Sequence, residues 1–103
     1  MPDYAYYCDH YLGEDIPEAE FAACMRRAED KLAYIKEVYA VQPRRGLSAE
    51  EAENMALCTI ADAVYEFKQE EPPELCAATL SNRAAHYRHE AGYYLRIGRW
   101  LNG

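Results

Sequence analysis

Residues 49–69 constrain the fold more than any other part of the sequence. Their apolar residues form one helical face and then extend well beyond it: Ala52, Ala56, Leu57, Cys58, Ile60, Ala61, Ala63, Val64, Tyr65 and Phe67. A helix that covers one side of a core needs an apolar stripe only about 100° wide. This segment is therefore predicted to be a helix buried on most sides, either as the central helix of the domain or partly against a neighbouring subunit.

The ends of this helix carry clear signals. The sequence "SAEE" is typical of a capping box, in which the Ser48 side chain accepts from the Glu51 N–H and the Glu51 side chain reaches back. At the other end, Pro72 and Pro73 cannot continue a helix. The sequence thus predicts a helix over 49–69.

An earlier helix is predicted to begin at Pro17, since proline suits the first helical position. Apolar residues then recur at spacings of three and four on one stripe: Phe21, Met25, Ala28, Leu32, Ile35 and Tyr39. The residue before a proline is disfavoured in the α region, so this helix is expected to end before Pro43.

The last third of the chain has weaker patterns. Residues 72–88 show no persistent apolar stripe, and we expect an irregular segment there. A short helix is predicted from His89, with Ala91, Tyr94 and Leu95 on one face. The expected architecture is a single all-α domain, 1–103, built as a small bundle of two long helices plus a shorter C-terminal helix.

Charge and hydropathy exclude several classes of function. The net charge of −7 argues against a sequence-nonspecific grip on nucleic acid, and the only basic doublets are Arg26-Arg27 and Arg44-Arg45. No apolar run approaches the roughly 20 residues of a spanning helix, and the N-terminus lacks the pattern of a secretory signal. We expect a soluble protein that does not bind membranes.

Metal binding and catalysis have little support in the sequence. Cys8, Cys24, Cys58 and Cys76 are widely spaced and are expected to be free thiols. Zinc-type ligands occur at four positions, Cys8, His10, His86 and His89, but without the paired spacings of structural zinc sites. No nucleophile elbow, metalloprotease motif or phosphate-binding glycine loop is present. We predict no enzymatic activity, no metal and no cofactor.

Aromatic residues are unusually abundant, with ten Tyr, two Phe and one Trp. They concentrate at the two ends of the chain, where they either pack over the helices or serve an interface, because Tyr and Trp are enriched at protein contacts. The predicted interface residues are Tyr4, Tyr6, Tyr7, Tyr11, Leu57, Tyr65, Tyr93, Tyr94, Trp100 and Leu101.

Three segments resemble the small head–tail connector proteins of tailed bacteriophages and prophages. The opening "DYAYYCDHYLGEDIPEAEFAACMRRAEDKLAYI" has the family's Tyr-rich lead, Tyr-Leu-Gly turn, Ile-Pro-Glu and helical Phe and Arg-Ala. The segment "ALCTIADAVYEF" is similar to the second helix of the family, and "YYLRIGRWLNG" to its closing segment. Residues 70–88 differ, since relatives often carry a Gly/Ser-rich loop there.

The resemblance implies a structural virion protein that completes the head. Such proteins form a ring, commonly of twelve copies, on the portal after DNA packaging, and they extend the DNA channel toward the tail. The implied partners are further copies of the chain, the portal protein and a tail-side connector or stopper protein, with DNA only as passing cargo. The implied location is the virion neck, after a stage in the host cytoplasm.

Two other readings stay open. The chain could be a small acidic adaptor or regulatory protein of a bacterial cytosol that binds one protein partner through its Tyr-rich N-terminal segment. Alternatively, it could be a metal-binding or enzymatic domain, which would place perturbed His and Cys groups in a cleft.

Overall fold

Three α-helices and a two-stranded antiparallel sheet make up the computed structural model, which describes residues 1–70 and 76–101. In chain order the elements are a π-helical turn Tyr6–His10, α1 Glu18–Val38, β1 Tyr39–Pro43, α2 Ala49–Gln69, α3 Ala77–Ala91 and β2 Leu95–Trp100. The molecule is mostly helical, but the sheet makes the predicted all-α class wrong.

The helix α2 is the centre of the fold. Its buried residues occupy most of its circumference: Ala52, Ala56, Leu57, Cys58, Thr59, Ile60, Ala61, Ala63 and Val64. The predicted bounds 49–69 are confirmed, and the Ser48 Oγ accepts from the Glu51 N–H at 3.1 Å. All of this burial occurs within the chain, so the breadth of the apolar face needs no neighbouring subunit.

The helix α1 packs antiparallel to α2. Ion pairs mark the two ends of the contact, with Lys68 Nζ 2.7 Å from Glu20 Oε1 and Lys36 Nζ 3.1 Å from Glu53 Oε2. Pro17 is the N-cap, one residue outside the helix. The predicted stripe from Phe21 to Ile35 is buried.

The helix α1 ends before Pro43, as predicted, but Tyr39, which was placed on its apolar stripe, does not belong to it. The helix ends at Val38, and Tyr39 adopts extended backbone angles as the first residue of β1. Pairing with β2 satisfies the backbone groups on one edge of Tyr39–Pro43, so this segment is a strand although Pro43 lies five residues beyond the helix end.

The helix α3 corrects the prediction of an irregular segment at 72–88. Residues 71–75 lie outside the described part, but residues 77–88 are helical. Phe67 of α2 holds α3 in place through its ring: the rings of His86 and Tyr87 lie edge-on at 5.3 Å and 5.6 Å, and the Arg83 guanidinium lies 4.9 Å from its centroid. This helix packs through long polar-tipped side chains, so it shows no aliphatic stripe.

The predicted C-terminal helix from His89 is also wrong. The helix α3 ends at Ala91, a turn follows, and Leu95–Trp100 is a strand. Tyr39 pairs with Trp100 and Gln42 with Arg96, with a bulge between Tyr39 and Val41. Because β1 and β2 are distant in sequence and only five and six residues long, periodicity gives little warning of the sheet.

The tight environment of α2 predicts that enlarging a buried alanine is costly. Ala61 is fully buried, and Ala61→Leu is expected to lower the free energy of unfolding by roughly 1–3 kcal/mol, because added methyl groups force neighbouring side chains out of their rotamers. Urea unfolding followed by circular dichroism measures this. Ala49→Leu, at an exposed position of the same helix, is the matched control; an equal loss in both variants contradicts the assignment of α2 as the buried centre.

Candidate functional site

The N-terminal strap, residues 4–16, lies across α2 and is fastened by hydrogen bonds from tyrosine to carboxylate. The hydroxyl of the fully buried Tyr7 donates to Asp62 Oδ1 at 2.6 Å, and that of Tyr11 donates to Asp62 Oδ2 at 3.0 Å. The Tyr7 oxygen also accepts from the backbone N–H of Ile16 at 3.0 Å. One phenol therefore joins α2 to the residues that lead into α1.

A second fastening lies near the start of α2. The Tyr6 hydroxyl donates to Glu51 Oε2 at 3.3 Å, and His10 Nε2 lies 2.7 Å from Glu51 Oε1. The rings of Tyr6 and His10 stack with centroids 4.6 Å apart. The Glu51 carboxylate thus serves the strap, although the capping motif predicted that it would reach back to Ser48.

The turn of the strap depends on Gly13. Its N–H donates to the Tyr7 carbonyl at 2.8 Å, which brings the glycine against the Tyr7 ring. A Cβ on Gly13 would overlap that ring. The Tyr-Leu-Gly turn therefore has a packing reason in this chain, and Leu12 before it adopts a positive φ of 66°.

Burial and the two carboxylates raise several pKa values. Burial raises the pKa of Asp62, although the hydrogen bonds from Tyr7 and Tyr11 act in the opposite direction. Burial, followed by the charge and hydrogen bonding of Asp62, raises the pKa of Tyr11 and of Tyr7 well above the ordinary value. Burial and then Glu51 raise the pKa of Tyr6 to about 12. The strap tyrosines are neutral donors throughout the physiological range.

The predicted interface residues fall into three groups. Tyr4, Tyr6, Tyr7 and Tyr11 pack on the chain's own core, and Leu57 is only 5% exposed. Tyr65 and Tyr94 are half-buried, and Tyr65 lines a shallow cavity of about 270 Å³ with Asp15 and Glu66. The remaining three residues are exposed: Tyr93, Trp100 and Leu101.

The exposed part of this set surrounds the sheet. Trp100 is 59% exposed and Leu101 is 52% exposed at the end of β2. Trp100 is the register partner of Tyr39, and Tyr39 lines a cavity of about 560 Å³ together with Tyr93. The Leu101 N–H donates to the Val38 carbonyl at 2.8 Å, so the chain is held in place just where these apolar side chains project.

Sequence reasoning missed a cluster of arginines at the same sheet. Arg44 lines both the cavity of Tyr39 and Tyr93 and a second cavity of about 420 Å³, where Arg96 joins it. Arg88 lies over the Tyr39 ring, with its guanidinium carbon 5.4 Å from the centroid. The sequence shows these arginines in two separate places, the doublet Arg44-Arg45 and the segment "LRIGRW". Their proximity follows only from the pairing of β1 with β2.

The zinc-type ligands do not assemble within the described residues. Cys8 and His10 lie on the π-helical turn, whereas His86 and His89 lie on α3 beside the rings of Phe67 and Tyr93. In residues 1–70 and 76–101, no group of three or more His, Cys, Asp or Glu side chains could hold a metal ion. All four cysteines are free, as predicted, and burial raises the pKa of Cys58 to about 12.

No protein-family model, curated protein or solved structure matches the chain. In the described part of the chain, no helix is long and apolar enough to cross a bilayer.

Removing the Tyr7 hydroxyl should destabilise the protein measurably. Tyr7→Phe deprives Asp62 of its shorter hydrogen bond and the Ile16 N–H of its acceptor, so we expect the free energy of unfolding to fall by about 1–3 kcal/mol. Tyr34→Phe, at an exposed position of α1, is the control. Equal stability of the two variants in chemical denaturation contradicts the role given to this hydroxyl.

The raised tyrosine pKa values also predict the response to alkali. Tyrosines of the unfolded chain lose protons near the ordinary value of 10.0, while Tyr6, Tyr7 and Tyr11 in the fold keep theirs to higher pH. Above pH 10.0 the unfolded state therefore binds fewer protons, and stability must fall as pH rises. Urea midpoints between about pH 8 and about pH 11 should decline in the wild type and decline less in Tyr11→Phe. A parallel decline in both proteins argues against the raised pKa of Tyr11.

Proposed function

We propose that this chain is a head–tail connector of a tailed bacteriophage or prophage, a structural virion protein that forms a ring on the portal after DNA packaging and extends the DNA channel toward the tail. Its partners are further copies of itself, the portal protein and a tail-side connector or stopper protein, and it acts in the virion neck. The proposal assigns no catalytic step to the chain.

The observation that carries the proposal is the exposed apolar end of β2. Trp100 and Leu101 project from a sheet of only two strands, so each strand has an unpaired edge. Leu95 anchors the sheet to the core, but exposed strand edges with large apolar side chains favour association. A contact at this end would bury Trp100, a residue type enriched among the energetically dominant positions of interfaces.

The positions of the motifs that resemble the connector family also support the proposed function. The Tyr-rich lead and the Tyr-Leu-Gly turn form the strap, whose donors are satisfied by Asp62 and Glu51. These motifs therefore stabilise the protomer, and the closing segment "YYLRIGRWLNG" is the part that offers surface to a neighbour. This division of tasks suits a protomer that must fold before it joins an assembly.

Native mass spectrometry over a wide concentration range tests the proposal. We expect closed rings of about twelve copies, the number that the resemblance implies for a cyclic assembly. Trp100→Ser combined with Leu101→Ser should shift the population to smaller species, because the apolar contact is lost.

A matched control is available elsewhere on the surface. Tyr34 and Leu80 are 59% and 53% exposed, close to the values of Trp100 and Leu101, so Tyr34→Ser with Leu80→Ser removes similar apolar area. This control should assemble like the wild type. Rings that survive the β2 change, or that are lost equally in the control, would contradict the placement of the interface. A wild type that stays monomeric even when mixed with the matching portal would contradict the connector function itself.

A further inference from the structure

The outer groove is the cavity of about 420 Å³ on the sheet, lined by Ala40, Gln42, Arg44, Arg96, Ile97 and Gly98. Its floor is small, because Ala40 and Gly98 lie opposite each other where the sheet bulges; a Cβ on Gly98 would lie 3.3 Å from the Ala40 carbonyl. The remaining lining residues are the polar Gln42, Arg44 and Arg96 and the apolar Ile97.

The register of the sheet separates this groove from the apolar end of β2. Directly paired residues place their side chains on the same face, and alternate residues on opposite faces. Gln42 pairs with Arg96, whereas Tyr39 pairs with Trp100 and Val41 with Ile97. The two sets alternate along β1, so the Arg96 side chain lies on the face opposite to Trp100.

The arginines of the groove have unused hydrogen-bond donors. Arg44 Nε donates to the Gly92 carbonyl at 2.6 Å, which fixes the side chain and leaves its terminal amino groups available. Neither Arg44 nor Arg96 forms an ion pair with any other described residue, and none of the described residues that line the groove is acidic. In a chain of net charge −7, this is a local concentration of positive charge.

We propose that the outer groove contacts the phosphodiester backbone of double-stranded DNA. Two guanidinium groups and the Gln42 amide supply donors, and phosphate oxygens are acceptors only, which arginine binds in a bidentate manner. A protein partner is less well matched, since protein interfaces depend on buried apolar or aromatic anchors; Ile97 is the one large apolar residue lining the groove, and Trp100 lies on the other face of the sheet. The inference rests on the proposed function, because a connector ring surrounds passing DNA.

Binding of DNA at the outer groove is expected to be weak for one protomer and to depend on salt concentration. Two neutralised phosphates give a slope of log K against log salt of about −2 per protomer, and the acidic remainder of the surface keeps the affinity of one protomer low. A ring presents many copies of the groove, so weak contacts act together while each exchanges rapidly as the DNA moves. The groove would thus centre the duplex without holding it.

Fluorescence anisotropy with a labelled random-sequence duplex of about 20 base pairs tests this at about 50 mM salt. Arg44→Glu with Arg96→Glu should weaken binding of the full-length protein at least about tenfold and bring the salt slope close to zero. The matched control is Arg26→Glu with Arg27→Glu, an exposed doublet of α1 with the same change of charge. Its affinity should stay within about threefold of the wild type, since only the long-range field changes.

Arg96→Gln alone provides a milder variant, whose folding is checked by circular dichroism. It should reduce the magnitude of the slope of log K against log salt by about one.

Native mass spectrometry of the same samples separates the DNA contact from the connector function. Rings that form but show no DNA binding, or equal weakening in the groove and control variants, overturn the DNA contact and leave the connector function standing. Loss of rings specifically in the groove variants also overturns it, because the groove would then be a protein interface.

Discussion

The hydrogen bond from Tyr7 to Asp62 is the interaction on which the rest of the structure depends. A carboxylate at 62 sits in a helix that is otherwise buried by apolar contacts, and burial raises its pKa. Two phenols compensate for the lost hydration without adding charge, and the Tyr7 oxygen also binds the backbone where the strap leads into α1. Strap, α1 and α2 therefore meet at one polar point within an apolar core, which specifies how they are placed relative to each other.

Local signals were sufficient for the central helix and insufficient for the sheet. The helix α2 follows from its apolar breadth and from Ser48, because periodicity and capping act within a few residues. By contrast, β1 continues directly from α1 and is a strand only because β2, more than 50 residues later, pairs with it. The helix α3 was missed for a different reason: its contacts with Phe67 are made by Arg83, His86 and Tyr87, whose polar tips conceal their packing role.

The contacts of the candidate site were likewise not predictable from local sequence patterns. Composition marked the N-terminal tyrosines as unusual, but their acceptors lie on α2, and no pattern in the sequence connects Tyr11 with Asp62. The total charge was equally uninformative about the outer groove, because a sum over the whole chain conceals where two strands bring Arg44 and Arg96 together. Distribution of charge depends on tertiary structure, and it is the distribution that decides what a surface can bind.

The hydrogen bonds that the strap tyrosines make within the chain bear on the proposed assembly. The hydroxyls of Tyr6 and Tyr11 are engaged by Glu51 and Asp62, so they are not available to a neighbouring chain. Beside the open strand edges, the exposed large apolar side chains are Trp100 of β2 and Leu101, which follows it. An unpaired strand edge is a place where a neighbouring chain can add contacts. The sheet is already paired and tied to the core within one chain, so in the proposed assembly a neighbour would add contacts at Trp100 rather than complete the fold.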